Sequence, residues 1–272
     1  MGKNTLKPVL FTGIFMASVG WIQAADRVPS SQGAAVTPEQ RGLAIAREAD
    51  RKNAGFGGQV ANMEMQLFNA QGDQVQRQMM LKGKESRGGG ERSLIGFQWP
   101  ADVKNTRMLT WSHKDSDDDQ WLFLPSIRSV KRISSTGKSA SFMGSEFSYE
   151  DLVNPVVEKF NYKYLRDDAV AGRKVWVMER APRGSSSGYS REVVWMDQEY
   201  FNSLRIEYFD RKGELLKTAE MAGYRKIGNW WRASRVTMTN RQTQKKSVLT
   251  WKTHKLRVAL NDAEFESQNL DQ

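Results

Sequence analysis

Beyond Gly58 the apolar residues recur at every second position, the period of strands half-buried on a sheet. Met63, Met65 and Leu67 share one face, Asn69-Ala70-Gln71-Gly72-Asp73 turns the chain, and Val75, Arg77, Met79 and Leu81 continue on the partner strand. The same alternation predicts strands near 91–99, 106–113, 119–125, 159–166, 173–181, 189–197, 202–210, 214–225, 229–240 and 246–257. Between Tyr208 and Leu215, the run Asp210-Arg211-Lys212-Gly213-Glu214 marks a hairpin, because Gly supplies the positive φ the turn needs. One helix precedes this pattern. Thr37 is placed to cap it, Pro38 to occupy its first position, and Leu43, Ala46 and Ala49 fall at helical spacing. Gly55, Gly57 and Gly58 end it.

The pattern breaks once, at about 138–158, where Ser148-Tyr149-Glu150-Asp151-Leu152 predicts a short helix before Pro155. The fold expected is therefore α+β: one large antiparallel sheet of about 11 strands, long enough that it must curl or close, with an N-terminal helix and a short helical insert. Its inner face is expected to be rich in methionine and aromatic side chains, which adapt to varied apolar shapes. One helix and one insert fill so large a sheet only partly, which predicts a ligand pocket. The lining expected is Met63, Met65, Met79, Trp111, Trp121, Phe123, Trp176, Trp195 and Met238. Phe142 and Met143, bracketed by Gly137 and Gly144, are expected to form a lid. Arg128, Lys131 and Arg132, after the apolar run 121–124, are candidates for contact with headgroups or an acidic partner.

The N-terminus carries a different pattern. Lys3 and Lys7 precede an apolar run from Val9 to Val19, and Ala24 precedes Ala25-Asp26. This predicts a signal peptide over 1–24, a flexible lead-in over 25–36 and one sheet domain over 37–272, exported after cleavage. The apolar run is shorter than the ~20 residues that span a bilayer. The chain has no cysteine, so neither disulfides nor thiolate metal sites form. The formal net charge is +10, which favours anionic headgroups or an acidic protein. The basic residues are scattered along strands rather than gathered in a patch, so nucleic acid is not expected as a partner.

No motif for catalysis, metal or cofactor survives inspection. Gly184-Ser185-Ser186-Ser187-Gly188 has the spacing of a nucleophile elbow, but a strand follows it where the elbow needs a helix. Gly137-Lys138-Ser139 lacks the glycine a phosphate loop requires five residues earlier, where Arg132 stands. Asp115, Asp117 and Asp119 alternate as in a calcium loop, but Gln120 and Ser126 occupy its glycine and glutamate positions. Only two histidines are present, His113 and His254, far apart in the chain.

The run RSLIGFQWPADVKNTRMLTWSHKDSDDDQWLFLP at 92–125, with SIRSVKRISS and SFMGSEFSYEDL after it, closely resembles the LolA-like outer-membrane lipoprotein-sorting proteins. SGYSREVVWMD, RIEYFDRKGELLKTAE, WWRASRVTMTNRQTQKKSVLTW and a tail with Phe265 and Leu270 extend the likeness over the remaining chain. The resemblance implies a half-barrel with an apolar cavity for acyl chains, and shuttling through the periplasm beside an inner-membrane transporter of the resistance-nodulation-division type. It implies a cavity arginine on an early strand, for which Arg77 is the nearest candidate. Two functions follow as expectations. One is a non-enzymatic carrier of lipid or acylated lipoprotein, with transient contact at a membrane surface. The other is an accessory subunit docked on a transporter, with a filled core and no ligand. An open apolar pocket favours the first and dense packing the second.

Overall fold

A computed structural model describes residues 35–86 and 89–272. The expected signal peptide, and the lead-in up to residue 34, lie outside the described residues. The helix α1 (Pro38–Asn53) starts where the sequence predicts it. Thr37 and Gln40 cap each other reciprocally, at 3.2 Å from the Gln40 amide and 3.0 Å from the Thr37 amide.

The strands are β1 (Gly58–Phe68), β2 (Gln74–Glu85), β3 (Glu91–Trp99), β4 (Arg107–Trp111), β5 (Asp119–Leu124), β6 (Ser129–Arg132), β7 (Phe160–Val170) and β8 (Arg173–Pro182). They continue as β9 (Tyr189–Asp197), β10 (Ser203–Asp210), β11 (Leu215–Ala222), β12 (Arg225–Ile227), β13 (Trp230–Arg232), β14 (Arg235–Asn240) and β15 (Lys246–Leu256). Thirteen of them form one curved antiparallel sheet in the order β6-β5-β4-β3-β2-β1-β15-β14-β11-β10-β9-β8-β7. The fold is α+β, as expected, with thirteen strands in the sheet rather than about eleven. Where the short β6 lies, the sequence pattern predicts only a basic run. The stretch 229–240 divides at Ala233-Ser234, leaving β13 to pair with β12 in a separate ribbon.

The order has one topological consequence. β6 and β7 are neighbours in the chain but stand at opposite edges of the sheet. The segment between them, 133–159, must travel from edge to edge, and it does so across the concave face. Phe142, Phe147, Tyr149 and Val157 bury themselves there in one cluster with Met65, Met79, Met178 and Met238. α1 covers the β7 side of that face through Ile45, Ala46 and Ala49. It lies so close to β7 that a Cβ on Gly42 would sit 2.9 Å from the Tyr164 amide nitrogen.

The convex face of β2–β5 is covered as well. The tail folds back in two 3-10 turns, Asp262–Phe265 and Ser267–Asn269. Phe265 and Leu270 are wholly buried against Leu109 and Phe123, with Trp111 and Trp121 packed edge to face beside them at 5.0 Å. The Trp111 indole donates to the Phe265 carbonyl at 2.7 Å, and Lys84, Lys82 and Arg92 pair with Asp262, Glu264 and Glu266. Such half-exposed pairs contribute little individually, so the aromatic contact carries most of the attachment.

This corrects the expected lining. Trp111, Trp121 and Phe123 face the tail on the convex side. Trp195 faces Val175, Val177 and Leu204 in a third cluster on that side too. Alternation assigns residues to two opposite faces but does not say which is concave when both are apolar.

At the other end of the central strands His254 on β15 donates through Nε2 to Gln59 Oε1 at 2.9 Å. The Gln59 amide donates in turn to Glu91 at 2.7 Å. The His254 Nδ1 is buried without a partner. Burial, and then Arg232 and Arg225, hold the imidazole down at about 4. The unfolded state therefore binds the proton more readily than the folded one between the ordinary histidine range and pH 4. Stability is full above that range and falls as the pH drops through it. Replacing His254 with Gln is expected to flatten the wild-type urea midpoint between pH 6.5 and 4, by on the order of 2 kcal/mol after solvent screening. Phe265→Ala is expected to cost about 3 kcal/mol and to shift tryptophan emission to the red as Trp111 and Trp121 meet water.

Candidate functional site

The concave face divides into an apolar half and a polar half. On the apolar half, Met79 stands opposite Met63 on β1 and Phe97 on β3, and Met108 opposite Ile95 and Leu122. Met65, Met79, Met108 and Met238 are all at or near zero exposure. On the polar half, the same inward rows carry charge. Arg180 on β8 stands opposite Glu192 on β9, Glu192 opposite Tyr208 on β10, and Tyr208 opposite Lys217 on β11. Arg180 and Glu192 form a buried pair at 2.5 Å, and burial pushes the Glu192 carboxyl up against the pull of that guanidinium. Burial pushes the Tyr189 and Tyr208 phenols well up, so both remain neutral.

The insert occupies the space between. Its turn at Phe142–Gly144 has Met143 and Gly144 in the left-handed region, at φ 50° and 75°. That turn drives the Phe142 ring inward to 5.7 Å from both Phe97 and Tyr149. Its next turn, Tyr149–Leu152, sits where the sequence predicts a short helix, and the Asp151 carboxylate accepts from the Ser148 amide at 2.7 Å.

A segment without regular pairing needs partners for its backbone. Six strands hold it from their inward rows, four through its backbone and two through its side chains. Arg77 donates to the Met143 carbonyl, Gln120 to the Tyr149 carbonyl at 2.9 Å, and Lys217 to the Glu146 carbonyl at 3.1 Å. Ser247 accepts from the Glu146 amide at 3.0 Å, and Asn240 donates to its carboxylate at 2.8 Å. Tyr189 donates to Asp151 at 2.7 Å and shares a hydrogen bond with Ser148 at 3.0 Å. Lys217 closes a salt bridge to Asp151 at 2.5 Å, with both side chains at most 5% exposed.

Of the residues expected in the lining, five lie on the concave face, packed in its core. Met63, Met65, Met79 and Met238 meet on the concave face, and Trp176 packs against the same cluster beside Phe201. Phe142, expected in a lid, is instead wholly buried. Met143 offers its carbonyl to Arg77, whose guanidinium stands 5.9 Å over Phe97 and whose pKa is lowered by burial. Arg128, Lys131 and Arg132 are exposed at the β6 edge, and Arg132 pairs with Asp119. Lys217, Tyr189, Gln120 and Asp151 were not anticipated. A signal for Lys217 was present, since it alternates in step with the inward Ala219 and Met221.

Two concavities border the described surface. One, of about 390 Å³, lies among Gly172, Arg173, Lys174, Asp197, Gln198 and Glu199. The other, of about 200 Å³, lies between Leu67, Phe68 and Val75 on one side and Gly144 and Glu146 of the insert on the other. The second opens at the edge of the plug. The Gly184–Gly188 turn serves the same insert, since Ser187 Oγ and the Gly188 amide donate to Glu150 at 2.8 and 3.0 Å. His113 bonds Asp119 and His254 bonds Gln59. Among the described residues no group of three or more His, Asp or Glu side chains is arranged to hold a metal.

Removing one partner of a buried ion pair strands the other. Lys217→Met is expected to cost about 3–5 kcal/mol by urea unfolding, and Lys217→Met combined with Asp151→Leu less than half of that.

A family profile, DUF1329-like and described as an uncharacterized protein, matches residues 89–272. No curated protein matches the chain. Among solved structures, it is similar to an outer membrane lipoprotein-sorting protein domain from Vibrio parahaemolyticus. That match has 41% identity and a TM-score of 0.84, over 86% of this chain and 100% of the other. A DUF1329 family protein from Desulfovibrio piger is 31% identical with a TM-score of 0.82, over 86% and 99% of the two chains. A LolA superfamily protein from Nitrosomonas europaea shares the fold at 21% identity and a TM-score of 0.68, over 83% and 97%. With its curved open sheet, its edge-to-edge insert and these matches, the chain belongs to the DUF1329 family and has a LolA-like fold.

Proposed function

We propose that the protein is a periplasmic, non-enzymatic carrier of lipid-like or acylated cargo, and that the insert holds the cargo's place when none is bound. The observation that carries this reading is the nature of the filling. Beyond the β7 side, which α1 covers, the methionine-rich face is covered by a segment of turns held through buried aromatic contacts and side-chain hydrogen bonds. A segment so held detaches without unravelling the sheet. The similarity to a lipoprotein-sorting domain supports the class of cargo. The basic, then apolar, N-terminal pattern supports export.

The energetics suit exchange. Burying each CH₂ is worth about 0.8 kcal/mol, so a chain of about 16 carbons gains on the order of 10 kcal/mol. It gives up a similar amount on leaving a bilayer. Withdrawal of Phe142, Phe147 and Tyr149 costs about 1.5–3 kcal/mol for each ring exposed. An acyl chain on the same methionines returns that contact, and their flexible side chains accommodate either shape. A membrane partner of the resistance-nodulation-division type would then set the direction of transfer. By the criterion of packing alone, the densely filled concave face favours the second reading, a docked, ligand-free subunit.

The chain has no native cysteine, so an engineered pair reports cleanly. Glu146→Cys with Ser247→Cys joins the insert to β15 where the two already touch. Oxidised, this variant is expected to lose uptake of a fluorescent fatty acid at least tenfold, and reduction is expected to restore it. Equal uptake in both states would remove the displaceable insert. No uptake by the wild type would leave the docked subunit as the function.

A further inference from the structure

We propose that the cargo carries an oxyanion headgroup, and that Lys217 and Tyr189 receive it in the position Asp151 occupies; this rests on the carrier reading above. Asp151 belongs to the insert, whereas Lys217 and Tyr189 belong to β11 and β9 of the sheet. Two donors fixed on the sheet therefore converge on one carboxylate, Lys217 Nζ on Oδ2 at 2.5 Å and Tyr189 Oη on Oδ1 at 2.7 Å.

The second hydrogen bond of Lys217, to the Glu146 carbonyl at 3.1 Å, also goes to the insert. When the insert withdraws, Lys217 loses both of these partners at once. It is left as a cation on a face that is otherwise buried, with the Tyr189 and Tyr208 rings 5.2 and 5.5 Å away. Aromatic faces soften that cost but do not replace a counter-ion.

The neighbouring carboxylates are engaged elsewhere. Glu192 is paired with Arg180, and Glu150 accepts from Ser187 and Gly188. A neutral chain would enter the apolar half yet leave Lys217 stranded. A chain ending in a carboxylate or phosphate would fill the apolar half and restore the ion pair and the phenol hydrogen bond together. The resident Asp151 is thus a competitor for the headgroup, just as Phe142 is for the chain.

The test is displacement of N-phenyl-1-naphthylamine, a neutral fluorescent probe, by dodecanoate or dodecanol at pH 8. The two have the same chain length, so their ratio isolates the headgroup. Wild-type protein is expected to favour dodecanoate at least tenfold. Asp151→Asn removes the resident anion and is expected to raise that preference about a further tenfold. Lys217→Met with Asp151→Asn, which avoids an unpaired charge, is expected to abolish the preference while dodecanol still displaces the probe. Lys217→Arg is expected to keep it. Equal displacement by both compounds in the wild type and in Asp151→Asn would overturn the headgroup site and leave the carrier intact. Failure of the wild type to bind the probe or either compound would overturn both.

Discussion

A sheet of thirteen strands with two free edges presents a broad concave face that has to be shielded from water. This chain shields it mainly with the connection between those edges. That connection has no continuous helix or strand; its short turns pair some of its amides and carbonyls internally, and the sheet supplies partners for others. The inward rows carry arginine, lysine, glutamine, asparagine, serine and tyrosine at the places where the connection passes. Each answers a particular group of the insert: Arg77 the Met143 carbonyl, Gln120 the Tyr149 carbonyl, Lys217 the Glu146 carbonyl and Asp151. The buried Lys217–Asp151 pair is the most demanding of these contacts, since neither charge is tolerable alone in that environment.

The same arrangement explains how one face serves two purposes. Its apolar half is lined by methionines, whose unbranched side chains repack around different shapes. Its polar half is built from groups whose partners come either from the sheet or from the insert. Arg180 and Glu192 are both on the sheet and neutralise each other whatever the insert does. Lys217 and Arg77 instead direct hydrogen bonds to the insert, and any withdrawal must answer for them. Attachment of the insert therefore combines these few polar contacts with the burial of Phe142, Phe147 and Tyr149.

The opposite face is treated differently. The C-terminal tail seals it with Phe265 and Leu270 against Trp111, Trp121 and Phe123, reinforced by half-exposed ion pairs. This apolar contact leaves the convex surface of β2–β5 sealed, and the traffic proposed for the protein concerns the concave side alone. Alternation in β5 made both of its faces apolar, and the tail and the insert account for one face each.

Most strand positions, the helix with its Thr37 cap, the hairpin at Gly213 and the break near Pro155 are legible in the sequence, because they depend on residues close together in the chain; β6 and the division of 229–240 are not. Period two and turn chemistry are local properties. The membership of Met63, Met65, Met79 and Met238 in one layer was legible for the same reason. What alternation does not carry is the identity of the concave face, and so Trp111, Trp121, Phe123 and Trp195 were assigned to the wrong side. Nor does it say which strands end at the edges. Only the pairing order puts β6 and β7 at opposite edges, and that separation sends residues 133–159 across the sheet, buries Phe142 and brings Asp151 to Lys217. Those partners are 66 residues apart in sequence, and their meeting is a property of long-range pairing and curvature, which no local pattern encodes.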